Sequence, residues 1–244
     1  MGRGSHVLIL TAIAKGKNRL KDIAGAINRG QRETAAQLQE LIEHELIVKT
    51  GIFYRFHSKT FKFWLREVYE KKELSLLGTS DKSQLFVNRL QEMIREEEEL
   101  LGMDVLDRVL DLFQNFQNDI VEFGEKRRNL PKFTEFIRAP KISGVSEADG
   151  NVRDLIAKGQ GRCWICKIVE EKATEKEVLD LVHGVPDKKN SHIKVLLALQ
   201  GFDENAKLLA KEKHVMAIGL SRLNLLMDLY GKSPVIPRIP RSIP

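Results

Sequence analysis

Apolar residues recur at helical spacing from the start of the chain. Positions 7, 8, 10, 13 and 14 predict a helix over His6–Lys15. Leu20, Ile23, Ala24 and Ile27 predict a second over Leu20–Asn28, and Arg29-Gly30 interrupts the pattern. Ala35, Leu38, Leu41 and Ile42 mark a third helix over Gln31–Glu45. Two short runs, Leu46–Thr50 and Ile52–Phe56, flank Gly51 and predict a pair of strands about a tight turn. Residues 60–72 continue as an amphipathic helix. Leu74–Ser80, with Gly78-Thr-Ser80, reads as a boundary. A long helix over Asp81–Leu101 then carries Leu85, Phe86, Leu90, Met93 and Ile94 on one side, and Glu96–Glu99 is its solvated end.

The second half alternates between the two periods. Asp104–Phe123 reads as a helix with Asp104 as its cap. Phe133–Ser143, Val152–Lys158 and Cys163–Val169 read as strands, the last two joined across Gly159-Gln-Gly161 as a hairpin. Thr174 caps a helix over Glu175–His183, because its hydroxyl can accept an orphan amide and an acidic first turn suits the helix dipole. Ile193–Leu199 is a strand, Asp203–Lys213 a helix, Val215–Leu220 a strand and Ser221–Tyr230 a final helix. That order predicts a mixed α/β sheet domain. The last twelve residues hold four of the seven prolines and read as an extended, unfolded or surface-draped tail. The expected organisation is a domain over 1–75, a helical linker over 76–102, a sheet domain over 103–232 and a proline-rich tail over 233–244.

Charge changes the picture in the first third. The net charge is +6, and residues 1–80 alone hold 14 Lys and Arg against 8 Asp and Glu, so the remainder is neutral. A basic module beside a neutral one points to a polyanion partner at the N-terminal end. Three helices and a hairpin in that order is the winged helix-turn-helix arrangement, whose later helix enters the DNA major groove. Arg29, Gln31, Arg32, Thr34 and Gln37 are then the groups that reach duplex DNA, since Arg and Gln fit guanine and adenine edges. Lys49, Tyr54, Arg55 and Lys59 suit phosphate contact. Against this, Glu40, Glu43 and Glu45 end the same helix, and a protein-interaction role competes with DNA binding.

No apolar run approaches a membrane span, and the N-terminus lacks the apolar core of a signal peptide. Two cysteines without an export signal imply a reducing cytoplasm. Cys163-Trp-Ile-Cys166 has redox-motif spacing but lies mid-strand, where residues three apart face opposite ways, so it reads as two structural thiols. No HExxH, Gly-x-Ser-x-Gly or Gly-x-Gly-x-x-Gly motif is present.

Ala12-Ile-Ala-Lys-Gly16, Tyr54 with Phe61-Lys-Phe-Trp64, Asp154, Trp164-Ile-Cys-Lys-Ile168 and Ala198-Leu-Gln-Gly-Phe202 before Asn205-Ala206 carry a resemblance. With the element order, the chain resembles the C-terminal region of a group of prokaryotic, archaeal-type ATPases. There a winged helix precedes a domain similar to PD-(D/E)xK restriction endonucleases. The ATP-binding part is absent, since no Gly-x-x-x-x-Gly-Lys-Ser/Thr loop appears, so the chain is a piece of such an ATPase or a relative standing without it.

The resemblance implies a metal site in three parts: an acid at Asp154, a second acid at Lys167 and a lysine at Val169. The last two differ. An ammonium where a carboxylate belongs repels magnesium, and Val169 polarises no water. Glu170-Glu-Lys172 offers an acid–x–lysine pair, but strand alternation sets Glu170 on the opposite face to Lys167 unless a bulge intervenes. Lys167 is then expected to pair with Asp154 in a remnant site. Glu122 is a further acid on the preceding helix. The expectation is a DNA-associated protein with a degenerate, non-catalytic nuclease-like domain and no cofactor. Two alternatives stand beside it. One is an active Mg2+-dependent nuclease using Asp154, Glu170 and Lys172, with Asp154 as metal ligand. The other is a regulatory module for an ATPase partner. The helix Asp81–Leu101 would serve either as a dimer seam or as an internal bridge.

Overall fold

The computed structural model describes residues 3–69, 82–123, 126–139, 152–159, 161–184 and 192–236. Two compact units divide the chain. One gathers Met1–Glu99, Ile120–Asn129 and Leu229–Gly231; the other gathers Leu100–Asp119, Leu130–Asp228 and Lys232–Pro244. The boundary expected over Leu74–Ser80 lies outside the described residues.

In the first unit, α1 (Arg3–Ala14), α2 (Leu20–Ala26) and α3 (Gln31–Glu43) precede an antiparallel hairpin of β1 (Ile47–Thr50) and β2 (Phe53–Phe56). Ile9, Ile13, Ile23, Leu38, Leu41, Ile47, Tyr54 and Phe56 form one core. These are the apolar stripes of the three helices meeting the inner face of the hairpin. α4 (Lys59–Trp64), capped by Ser58 accepting from the Phe61 amide at 3.2 Å, runs into a π-helical turn over Leu65–Tyr69. α5 (Lys82–Gly102) follows.

The chain between α5 and the sheet departs from expectation. α6 (Val105–Gln114) is capped by Asp104, whose Oδ1 accepts from the Leu106 amide at 2.9 Å. The helix stops at Gln114 instead of continuing to Phe123, and Asn118 takes a left-handed φ of 62° that turns the chain. Asp119–Phe123 is β3, paired with β4 (Lys126–Leu130) in a two-stranded ribbon. Glu122 therefore sits on a strand and not on a helix.

The second unit holds a five-stranded mixed sheet in the order β5 (Glu135–Ala139), β6 (Val152–Gly159), β7 (Arg162–Val169), β8 (His192–Ala198), β9 (Met216–Gly219). β5, β6 and β7 are antiparallel neighbours, whereas β7, β8 and β9 run parallel through crossover helices α7 (Glu175–His183) and α8 (Glu204–Glu212). Val195–Ala198 is buried throughout, as a central parallel strand covered on both faces requires. One face packs Ile165, Val169, Leu196 and Ala198 against Val178, Leu181, Ala206 and Ala210 of α7 and α8. Trp164, on the other face of β7, is buried among Phe113, Phe116 and Phe133, with ring centroids 5.4–6.1 Å apart. The molecule is thus mixed α and β.

α9 (Leu220–Leu229) leads to a tail that is held along its first part. Asn224 donates to the Val235 carbonyl at 3.0 Å and accepts from its amide at 2.7 Å, Arg108 donates to the Ser233 carbonyl, and Lys232 pairs with Asp111 at 2.7 Å. Val235 is buried by this strapping. Residues 237–244 lie outside the described part.

Candidate functional site

Antiparallel pairing of β6 with β7 sets Asp154 directly opposite Lys167, and Leu155 opposite Cys166. Opposed residues share a face, so Asp154 and Lys167 project together toward the side covered by α7 and α8. Both are 2% exposed. The Lys167 ammonium donates to Asp180 Oδ2 of α7 at 3.1 Å, and the Asp180 side chain is 22% exposed. The Lys167 ion pair is thus with Asp180 and not, as expected, with Asp154, whose buried Oδ1 accepts no hydrogen bond among the described residues. Both acids lie in a layer that is otherwise Ile165, Val169, Val178 and Leu181.

Glu177, one helical turn before Asp180, closes a capping box. The Thr174 amide and hydroxyl both donate to its carboxylate, at 2.7 and 2.6 Å. The hydroxyl expected to accept an amide therefore also serves as a donor to the acid three residues on. Burial works against the Glu177 charge, but the bonds from Thr174, its own backbone and the charge of Lys167 outweigh it and hold the carboxyl below its ordinary value. On the opposite face of β7, burial pushes the Cys166 thiol well up, and the charge of Asp154 adds to the effect. Cys163 is raised too, first by burial, then less by Glu135, while Lys158 pulls it down. Both cysteines are free thiols. Neither has the lowered pKa that a reactive thiol requires.

This donor set does not fit magnesium. The ion needs several oxygen ligands at close range, whereas here an ammonium opposes Asp154 and is hydrogen-bonded to Asp180. Among the described residues no three His, Cys, Asp or Glu side chains converge as ligands. Glu170 lies just past the end of β7 on a bend, and Lys172 follows it. Backbone bonds from Leu199 to Val169 (3.0 Å), Ala173 to Gly201 (2.9 Å) and Asp203 to Ala173 (3.0 Å) pin that bend beside the end of β8. Strand alternation therefore does not govern Glu170, and Lys172 is exposed. Asp180, which meets Lys167, is not anticipated from the sequence. Its signal is slight: an acid three residues after a capping-box glutamate, on the helix that follows the strand carrying a buried lysine.

The N-terminal candidates separate into available and unavailable groups. Gln31, Arg32, Lys49 and Lys59 are exposed, and Arg55 is half-buried, its Nε 3.5 Å from Thr50 Oγ1. Thr34 is not available: it is fully buried and its hydroxyl donates back to the Gly30 carbonyl at 2.9 Å, as threonine does within a helix. Tyr54 is not available as a surface contact either, being 6% exposed in the core with the Lys49 ammonium 5.7 Å from its ring centre. Gln37 is half-buried and accepts from Ser5 of α1. Arg29 is paired with Glu33. The solvent face of α3 thus exposes Arg32 beside Glu33, Glu40 and Glu43, with Glu40 facing His6 at 2.9 Å.

No helix among the described residues is long and apolar enough to cross a membrane. No protein-family model matches the chain. No curated protein matches it either. Among solved structures, the apo form of EndoMS is similar, 13% identical over 48% of this chain and 46% of that one, with a TM-score of 0.33. The match spans less than half of that protein, and a likeness of that size assigns no activity to this chain.

Proposed function

We propose that this chain is a DNA-associated protein of the cytoplasm. On this reading a winged helix-turn-helix module over 1–75 contacts duplex DNA, and a restriction-endonuclease-like domain over 103–232 is a scaffold whose metal site has been filled by lysine. Duplex DNA is one partner and an ATPase a second, with α5, whose Ile94 is 59% exposed, as a seam for another copy.

The observation that carries this reading is the placement of Lys167: buried, opposite Asp154 and bonded to Asp180. The correspondence that the resemblance implies puts the losses at Lys167 and Val169. One expected carboxylate is then gone, and Asp180 is committed to an ammonium instead of a divalent ion.

Two assays decide it. Supercoiled plasmid incubated with the chain and magnesium or manganese is expected to remain intact; cleavage abolished by Asp154→Ala would overturn the scaffold reading. Affinity for duplex DNA is expected to fall steeply with salt, because binding carried by Lys and Arg releases counterions. Absence of any binding at low salt would remove DNA from the reading and leave the ATPase-partner role.

A further inference from the structure

β4 is unlike an ordinary half-buried strand. Lys126, Arg127, Arg128 and Asn129 are all exposed, and burial begins only at Leu130. A strand with one packed face buries alternate residues, so four consecutive exposed side chains leave both faces of this part of the ribbon in water. Three of the four are cations. Arg127 pairs across the ribbon with Glu122 at 2.9 Å while its side chain stays 79% exposed. Lys126 and Arg128 make no ion pair among the described residues. Glu125, just before them, lies outside that set.

The ribbon is fixed to the hairpin of the same unit. The Ile52 amide donates to the Ile120 carbonyl at 3.1 Å. Gly51 comes so close that a Cβ there would lie 2.0 Å from the same oxygen. The hairpin tip is thus occupied by protein backbone, which takes it out of a groove-reading role. The cations of β4 remain in water. An extended strand rises about 3.3 Å per residue and its side chains alternate between faces, so Lys126 and Arg128 leave one face about 6.6 Å apart while Arg127 leaves the other. Lys126 and Arg128 can therefore reach neighbouring phosphates of one backbone, and arginine adds a two-pronged fit to phosphate oxygens. α3, by contrast, shows more exposed acids than bases.

We propose that the β3–β4 ribbon is the main phosphate contact for duplex DNA, through Lys126 and Arg128. This rests on the DNA-associated reading above and moves the contact from α3 to the ribbon.

The test uses the full chain and a fluorescein-labelled duplex of about 20 base pairs, titrated between about 0.05 and 0.3 M salt. Replacing Lys126, Arg127 and Arg128 with alanine is expected to lower the slope of log K against log salt by about 2 and to weaken binding about 100-fold at 0.1 M. A second variant, K126Q with R128Q, keeps the Arg127–Glu122 pair and is expected to lower the slope by about 1.8. Arg32→Ala is expected to change it by less than about 1. Unchanged far-ultraviolet circular dichroism and urea midpoint confirm that the variants fold. A wild-type chain that binds while both ribbon variants keep its slope overturns the ribbon proposal and spares the DNA reading. A wild-type chain that does not bind overturns both. Duplex RNA bound as tightly as DNA, with the same losses, overturns the assignment to DNA.

Discussion

Lys167→Met tests the charge cluster directly. Methionine keeps most of the length and the apolar stem of lysine but removes the cation that bonds Asp180 and lies opposite Asp154 in the register. The Lys167 side chain is 3% exposed and Asp180 22%, while Asp154 as a residue is 2% exposed. Taking one partner from a buried ion pair costs about 3–5 kcal/mol, because the remaining charge keeps its desolvation penalty without its attraction. Asp180 retains some water and Asp154 almost none, so the expected loss lies near the lower end, about 3 kcal/mol. Urea unfolding followed by tryptophan fluorescence reads it. Trp164 is buried in the same unit, and the 43% exposed Trp64 of the other unit is silenced by Trp64→Phe in every protein compared. Asp154→Asn placed on top of Lys167→Met is expected to recover at least half of the loss, since it removes the stranded carboxylate. Asp154→Asn alone is expected to cost less than Lys167→Met, because Lys167 keeps Asp180. The double-mutant cycle isolates this coupling. A Lys167→Met chain within about 1 kcal/mol of wild type, or no recovery on adding Asp154→Asn, would refute the reasoning.

Three other outcomes are expected. Gly51→Ala forces a Cβ onto the Ile120 carbonyl at a φ of +64°, so thermal unfolding should show a loss of about 2 kcal/mol or more, against under about 0.5 kcal/mol for Gly25→Ala, which has open space around it. Glu177 has a folded pKa below its ordinary 4.5, so its stabilisation is complete above that pH and is lost as pH falls through the folded value; Glu177→Gln should flatten the acid limb of a stability–pH curve and change little at pH 3. Both thiols are raised by burial, so in native protein at pH 8 Ellman's reagent should label Cys163 slowly and Cys166 only after unfolding in urea; rapid labelling of Cys166 would contradict its burial.

Local signals carry much of the fold. The stripe Leu38–Leu41, the cap at Asp104, the alternation through β7 and the cap at Thr174 all rest on contacts within a few residues. They read correctly because periodicity and capping are short-range properties. The helix that begins at Asp104 is expected to run too far because Ile120, Val121 and Phe123 extend its apolar run; the turn depends on Asn118 adopting a left-handed φ. β4 escapes the pattern for the opposite reason. Lys-Arg-Arg-Asn has no alternation to detect, since neither face of that ribbon is packed over those residues.

The sequence by itself determined most helices and strands, though not β3 and β4. It also determined that basic residues gather in the first third and that Lys167 shares a face with the residue opposing it across the hairpin. Only the tertiary structure decided which charges meet. Lys167 reaches Asp180 because the crossover between parallel β7 and β8 carries α7 over that face, Thr34 and Tyr54 face inward because the helices and hairpin close on one core, and residues 232–235 are held because Asn224, Arg108 and Asp111 converge on them. Periodicity encodes the direction in which a side chain leaves its own element. The group waiting there belongs to another part of the chain, and nothing in the local pattern names it.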